Sequence, residues 1–511
     1  IRDDAMLDIP LLIAPLAAFL IGLYAVPTVR RIALACGFLD NPDRRRKLHS
    51  APIALGGGIA VWLATWPGWG VGLLSFSSET RGAGDAGWFL AALALATFLI
   101  LGLGIIDDRL GLRVRHKFAG QVVAAVVLVG LGLRIDAWSC FGVELQLGIF
   151  AYPVTVLWVL LVVNAFNLID GMDGFCGSVG LIASLAIAFL AYRSGRVEDA
   201  MVALALAGAL ASFLKFNLPP AKIYLGDAGS MTIGMIISAL SVRSCTDGPR
   251  TVVLLLPVIA LLMLPLLDVV TAVGRRWLKG RSISTPDREH IHHCLRSRLG
   301  STVATLGAAV LLATFGAGGA ALATTYRMGD PVACLVIALS VGLLACTNTF
   351  GATESRLLLF RIKVALTPLL TGLAVRGRGI GQECHLHGNR DWGDVWDALV
   401  REGKDSGVCR IELAIDMTAA GEAYRGHWSL PAAAGDEPHW SIVHTLHAGD
   451  VVAGMISVAG NVDTGGSHYL DKVEKLVRVV EGRLVSGDAS APPSEARPLS
   501  NVNLPVNSAL T

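Results

Sequence analysis

Apolar runs of bilayer-spanning length recur through the first 350 residues of this 511-residue chain, and no other feature restricts its fold as strongly. The runs occupy residues 7–27, 53–75, 88–106, 118–134, 151–168, 177–193, 200–216, 230–243, 251–273, 302–325 and 331–348. Most are near the roughly 20 residues that a helix needs to cross a bilayer, and the eighth is short. A segment in lipid must satisfy its backbone polar groups internally, so such runs are read as helices. Composition agrees, because 16% of the residues are charged, against roughly 25% in soluble domains. The expected fold is a polytopic α-helical membrane protein of about 11 transmembrane helices. The first run lacks a basic leader and a small-residue cleavage site, and is read as a permanent span.

Loop charge then sets the expected orientation. Loops after the odd-numbered spans carry eighteen Lys and Arg residues, and those after the even-numbered spans carry seven. By the positive-inside bias the first set is cytoplasmic and the N-terminus external. Net charge is only +2, and no nucleic-acid partner is expected. Nine cysteines are scattered without metal-ligand spacing, and several inside apolar runs, such as Cys334 and Cys346, read as small packing residues.

Beyond the spans, residues 351–384 read as an interfacial helix and linker, because Arg361, Lys363 and Pro368 interrupt their apolar run. Residues 385–485 have the composition of a small soluble, cytoplasmic α+β domain. A helix is expected near 392–402, strands at 409–416, 439–446 and 451–460, and a closing helix at 469–485. Cys384, His385 and His387 read as linker residues. The tail 486–511, rich in Ser, Pro, Ala and Asn, is expected to be disordered.

The polar residues that interrupt this apolar background fall in the loops assigned to the cytoplasm. In IIDDRLGLRVRHKFAGQ, Asp107 and Asp108 precede a basic loop that ends at Lys117, a pattern suited to a metal ion and phosphates. In the first loop Lys47 and His49 precede Gly56–Gly58, where free amides of a helix start would suit an anion. In NAFNLIDGMDG, Asn164, Asn167, Asp170 and Asp173 recur every third residue. Four polar groups in phase at a membrane edge are expected to line a cavity. In YLGDAGS, Ser230 is expected to cap the next helix, leaving Asp227 free to hold a metal. In DREHIHHCL, His290, His292 and His293 stand among arginines that include Arg288. They lack the spacing of a helical zinc site and suit a diphosphate better. No P-loop, dinucleotide-binding glycine pattern or serine triad is present, nor the midplane ionisable residues and repeated halves of a transporter.

Together IIDDRLGL, HKFAGQ, NAFNLIDGMDG, YLGDAGS and DREHIHHCL resemble the polyprenyl-phosphate N-acetylhexosamine-1-phosphate transferase superfamily, glycosyltransferase family 4. The resemblance covers roughly residues 1–350 and is strongest to the bacterial undecaprenyl-phosphate GlcNAc-1-phosphate transferases. It implies transfer of GlcNAc-1-phosphate, or a related acetamido-sugar phosphate, from a UDP-sugar to undecaprenyl phosphate, with release of UMP. The reaction would run at the cytoplasmic face of the bacterial inner membrane, initiating a lipid-linked cell-surface polysaccharide such as O-antigen lipopolysaccharide. The implied cofactor is Mg²⁺ or Mn²⁺, held by Asn167 and Asp227. Asp107 is the implied base, Asp108 supports the site and Lys117 contacts phosphate. Lys47, His49, Asn164, Asp170, Asp173, Arg288, His290, His292 and His293 are the implied substrate contacts. Membrane lipids are the surroundings and a homodimer is left open. The alternatives are a UDP-MurNAc-pentapeptide phosphotransferase and, from other classes, a polyprenyl-diphosphate phosphatase or a transporter. Residues 385–485 lie beyond the minimal family pattern, and regulation or partner docking is expected of them.

Overall fold

The computed structural model describes residues 2–40, 52–75, 85–247, 252–278, 290–326, 329–347, 380–387, 392–405, 408–417, 422–430, 440–448, 451–460, 473–478 and 480–481. Lys47, His49, Arg288, the helix expected within 354–379 and the tail 486–511 lie outside the described residues. The chain divides into two compact units, one of residues 1–277 with 281–350, the other of 278–280 with 351–511.

Every apolar run in the first unit contains helix. The helices are α1 Arg2–Ala35, α2 Gly57–Leu74, α3 Asp85–Leu110, α4 Val114–Gly130, α5 Ala151–Leu168, α6 Phe175–Arg193 and α7 Val197–Asn217. They continue with α8 Gly226–Ser244, α9 Leu255–Leu261, α10 Met263–Leu278, α11 Ile291–Leu299, α12 Thr302–Thr325 and α13 Gly329–Cys346. Among the described residues seven helices are long and apolar enough to cross a membrane, or eight if one bent pair counts as a span. The protein is therefore a polytopic membrane protein.

The ninth run, expected as one span over 251–273, is broken. Val252–Leu254 is strand, and α9 and α10 meet at an angle of 89°. Pro265 explains the break, since it has no N–H for the carbonyl of Leu261 and its ring would collide with that carbonyl in a continuous helix.

The eighth run is longer than expected and is the most enclosed. Helix α8 lies against α3, α5, α6 and α2, and from Ala228 to Val242 every residue is buried. Its Thr232 and Ser241 hydroxyls donate to backbone carbonyls one turn back. A helix surrounded by protein need not be as apolar as one facing lipid, which is why its run looked short.

Short strands sit at the ends of the helices. β1 (Leu39–Asp40) pairs antiparallel with β2 (Ile53–Ala54) at the α1–α2 connection. β3 (Ala137–Cys140), β4 (Val143–Gln146), β5 (Thr246–Asp247) and β6 (Val252–Leu254) form a sheet of order β4-β3-β6-β5.

The second unit is an antiparallel sheet with helices on one face. Its strands are β7 Ile380–His387, β8 Val408–Met417, β9 Glu422–Ser429, β10 Trp440–Ala448 and β11 Val451–Gly460, in the order β10-β11-β8-β9-β7. Alternate residues Ile411, Leu413 and Ile415 of β8 are buried with Trp392, Trp396 and Leu399 of the helix Trp392–Asp405. Residues 473–478, inside the expected closing helix, are helical and add Val473, Leu476 and Val477 to the same core. Two strands were not expected. Cys384, His385 and His387 belong to β7 rather than to a linker, and β7 is held by pairing with β9. Strand β9, EAYRGHWS, is buried at Tyr424, Gly426 and Trp428 and half-buried at the residues between, but its alternation is carried by only two large apolar side chains set among Arg425 and His427.

Candidate active site

The acidic motifs converge around the first turn of α8. This is possible because two neighbouring helices approach that turn without side chains. A Cβ on Gly58 of α2 would lie 2.2 Å from the Gly229 nitrogen, and one on Gly104 of α3 would lie 2.2 Å from the Ala228 Cα. The small residues of LGDAGS are thus the surface on which α2 and α3 cross α8. Close contact places the end of α3, with its two aspartates, directly over the α8 N-terminus.

Asp108 serves that N-terminus. It accepts the backbone N–H of Asp227 (2.8 Å) and of Ala228 (3.2 Å), two amides that a helix start leaves without an internal partner. Asp108 is therefore the cap of α8, supplied by another helix. The expected cap, Ser230, instead donates to the carbonyl of Gly226 and accepts from Asn167 Nδ2 at 3.0 Å. Gly226, the first residue of α8, has φ +74°, a left-handed conformation that glycine adopts without strain, and a Cβ there would strike Asp108.

Lys117 is the centre of the cluster. Its Nζ lies 2.9 Å from Asp107 Oδ2 and 2.6 Å from Asp227 Oδ2, and donates to Asn167 Oδ1 at 3.1 Å. Asn167 Nδ2 in turn donates to Asp227 Oδ1 at 2.6 Å. Asp107 accepts the Leu112 N–H at 2.7 Å, which closes the α3–α4 turn and aims Lys117 back at the carboxylates. Three motifs far apart in the chain thus share one ammonium. Asp227 does not cap α8, and its carboxylate is paired with Lys117 and Asn167.

The remaining acidic residues divide into two environments. Asp173 accepts the Ala221 N–H at 2.9 Å and ties the turn after α5 to the α7–α8 loop. Asn217 braces the same junction, accepting from Gly174 N–H and donating to the Ile223 carbonyl. Asp170 differs. Burial raises its carboxyl, and the charges of Asp227, Asp108 and Asp173 raise it further, well above the ordinary carboxylate value.

Two sequence assignments change. Asn164 does not join the Lys117 cluster, because it donates to Gln121 Oε1 (2.8 Å) and to the Leu160 carbonyl (2.8 Å). Gln121 is itself buried and donates to Met231 Sδ, so this amide pair packs α4, α5 and α8 together. The Gly57 and Gly58 amides are not free for an anion either. They donate to the Tyr224 and Leu225 carbonyls at 2.9 and 3.0 Å, binding α2 to the loop before α8.

The histidine motif opens α11 and reaches the acidic turn. His292 is buried, with its ring centroid 5.6 Å from that of Phe175 and its Nε2 2.5 Å from where a Gly171 Cβ would stand. Burial, with the charges of His293 and His290, depresses its pKa to about 3 despite Asp268, so His292 is neutral. His290 is buried beside it and His293 is exposed. Asp268 of α10 faces both buried imidazoles, at 3.4 Å from His290 Nδ1 and 4.0 Å from His292 Nδ1. Gln121, Ser230 as an asparagine partner, and Asp268 were not expected from the motifs. A lone carboxylate inside an apolar run is the signal that would have singled out Asp268.

The chain is similar to known proteins. The model of glycosyl transferase family 4 matches residues 90–245, which contain Asp107, Asp108, Lys117, Asn167 and Asp227. Over 295 residues the chain is 36% identical to the "Probable undecaprenyl-phosphate N-acetylglucosaminyl 1-phosphate transferase" of Bacillus subtilis (strain 168), covering 57% of this chain and 78% of that one. It is 33% identical over 312 residues to the decaprenyl-phosphate N-acetylglucosaminephosphotransferase of Mycobacterium tuberculosis (strain ATCC 25618 / H37Rv), covering 55% and 74%. With the undecaprenyl-phosphate alpha-N-acetylglucosaminyl 1-phosphate transferase of Yersinia pestis it shares 30% identity over 305 residues, covering 57% and 80%. Since the family match spans the residues that meet at Lys117, and most of each relative is covered, the chain belongs to glycosyl transferase family 4 and is a membrane-embedded sugar-1-phosphate transferase.

Proposed function

We propose that the protein transfers N-acetylglucosamine-1-phosphate, or a closely related acetamido-sugar-1-phosphate, from a UDP-sugar to undecaprenyl phosphate. The observation that carries this reading is the ammonium of Lys117 held by Asp107, Asp227 and Asn167 together. Such a group would suit a site where two anionic substrates approach one another. In the reaction an oxygen of the lipid phosphate attacks the sugar-linked phosphorus. The P–O bond to the UMP phosphate breaks, and UMP leaves with that bridging oxygen and the electron pair.

Donor chemistry supports a divalent cation here. Asn167 Oδ1 and Asp227 Oδ2 are hard oxygen ligands of the kind Mg²⁺ takes, and they already converge on a cation, Lys117 Nζ. Asn167 and Asp227 would hold Mg²⁺ or Mn²⁺, which would supply neutralisation of the diphosphate and of the leaving UMP. Asp107 would accept a proton from the lipid phosphate. Asp108 keeps the first turn of α8, and hence Asp227, in position. His290, His292 and His293, adjoining the acidic turn, would grip the UDP-sugar.

With eleven spans, the loop charge bias supports an external N-terminus, an active site at the cytoplasmic face of the bacterial inner membrane and a cytoplasmic second unit. Undecaprenyl-diphosphate-linked sugar would then initiate a cell-surface polysaccharide. The test is purified full-length protein with undecaprenyl phosphate, Mg²⁺ and a panel of UDP-sugars. UMP release that requires both substrates is expected, fastest with one acetamido sugar. Phosphate release from a polyprenyl diphosphate, without need of a uridine nucleotide, would replace this reading with a phosphatase.

A further inference from the structure

The sequence reading gave the histidine motif a ligand-gripping role but no group that orients it. Such a group is present on α10. Asp268 is 1% exposed, although it lies in the apolar run MLPLLDVV. Its Oδ1 accepts the backbone N–H of Ile291 at 2.8 Å, so it caps α11 at its first residue from a different helix. Its Oδ2 has no hydrogen-bond partner among the described residues, and neither do His290 Nδ1 and His292 Nδ1, all three being buried. These atoms face one another, at 3.4 Å for His290 and 4.0 Å for His292. The two rings lie parallel, with centroids 5.7 Å apart and planes 5° apart, presenting the same edge to the carboxylate.

Buried polar atoms are paired in the great majority of cases, and here the nearest complement of each is the other. A carboxylate accepts and does not donate, so the imidazole nitrogen facing it must carry the hydrogen. In His290 that leaves Nε2 as the nitrogen available to a ligand, whereas His292 Nε2 is buried against Gly171. Helix α11 and the acidic turn are already joined through His292 on Gly171 and Phe175. A rotation of α11 at its first turn would therefore reach Asp170 and its neighbours.

We propose that Asp268 is a positioning residue for donor-substrate recognition, pinning the start of α11 through Ile291 and holding His290 in the Nδ1–H tautomer. This rests on the reading above that the histidines grip a UDP-sugar. Asp268 touches no substrate and acts through the imidazoles.

The test uses full-length protein in detergent with ¹⁵N-labelled histidine. The wild type should show a ring in the Nδ1–H form whose signal is lost in His290→Gln. In Asp268→Asn the Oδ1 bond to Ile291 can persist, while the amide NH₂ now donates toward the ring, so that signal should move to the Nε2–H form. The same variant should raise KM for the UDP-sugar about 10-fold or more, as loss of an outer-shell partner does at other sites. KM for undecaprenyl phosphate and the melting temperature should stay near wild type. Asp268→Glu should recover part of the donor KM, because it restores an acceptor. Unchanged nitrogen signals in Asp268→Asn, or equal rises in both KM values, would overturn the proposal. If the wild-type protein uses no UDP-sugar, the functional reading fails, and the tautomer spectra still decide whether Asp268 orients His290.

Discussion

At the scale of single residues, the pairing of Asp107 and Asp227 through one lysine narrows what each can do. Lys117 touches both, so neutralising either carboxylate leaves the other as its counter-ion. Asp227 also carries Asn167, whereas Asp107 carries the Leu112 amide. Asp227→Asn is expected to abolish turnover and to weaken Mg²⁺-dependent UDP-sugar binding in calorimetry. Asp107→Asn should slow turnover by about 10²-fold or more, the scale of a lost general base, and leave that binding largely intact. Loss of nucleotide binding in Asp107→Asn alone would reverse the two roles. His292 yields a second prediction, in pH. Its folded pKa of about 3 lies below the unfolded value of 6.5, so above pH 6.5 both states are neutral and its contribution does not vary with pH. Below 6.5 the unfolded chain takes up the proton first, and stability is lost as pH falls toward 3. Between pH 7 and 5 this amounts to about 2 kcal/mol. His292→Gln should flatten the fall of melting temperature over that range, and an unchanged slope would show that His292 is not the titrating group.

At the scale of elements, the first turn of α8 is built by close approach, and the glycines that permit it are not interchangeable with others nearby. Gly104 and Gly102 lie on the same helix, but a Cβ on Gly104 would meet the Ala228 backbone, while one on Gly102 would meet nothing within 4 Å. Backbone cannot give way as a side-chain tip can. Gly104→Ala is expected to cost about 1–3 kcal/mol, as overpacking does, and to lower activity by displacing Asp227. Gly102→Ala should match wild type in both thermal melting and UMP release, which makes it the control. The Asp108 cap acts on the same turn. Asp108→Ala leaves the Asp227 and Ala228 amides without their acceptor, so it should reduce melting temperature together with turnover.

At the scale of the whole molecule, chemistry and the second unit separate cleanly along the chain. Every residue that meets at Lys117 lies before residue 230, and the second unit has its own core of Trp392, Trp396, Ile411, Leu413, Tyr424 and Trp428. Removal of residues 380–511 should therefore leave transfer in vitro within about an order of magnitude, roughly 1.4 kcal/mol in barrier. A membrane-inserted truncation with no activity would assign residues 380–511 a direct part in the reaction. Sidedness is checked separately. Cysteine placed at Arg113 should label from the cytoplasm, and cysteine placed at Phe141 should label from outside in intact cells.

The spans and the chemical motifs were legible in the sequence because both are local properties. Helix in lipid follows from a run of apolar side chains about 30 Å long, whatever its neighbours are. Asp107, Asp108, Lys117, Asn167 and Asp227 stood out because ionisable and amide groups at a membrane edge are costly without a use. Even the break in the ninth run was written locally, in Pro265, though a hydropathy window averages across it. What the tertiary structure alone decided is the partner of each polar group. Asp108 reads like Asp107, yet it caps α8 because Gly104 lets α3 settle on Ala228. Asn164 reads like Asn167, yet it lies about one turn further back along α5, level with Gln121 instead of Lys117. Asp268 lies more than twenty residues from the histidines it faces. A hydrogen bond depends on a few tenths of an ångström and on direction, and those are set only when distant segments pack, which no local pattern of residues records.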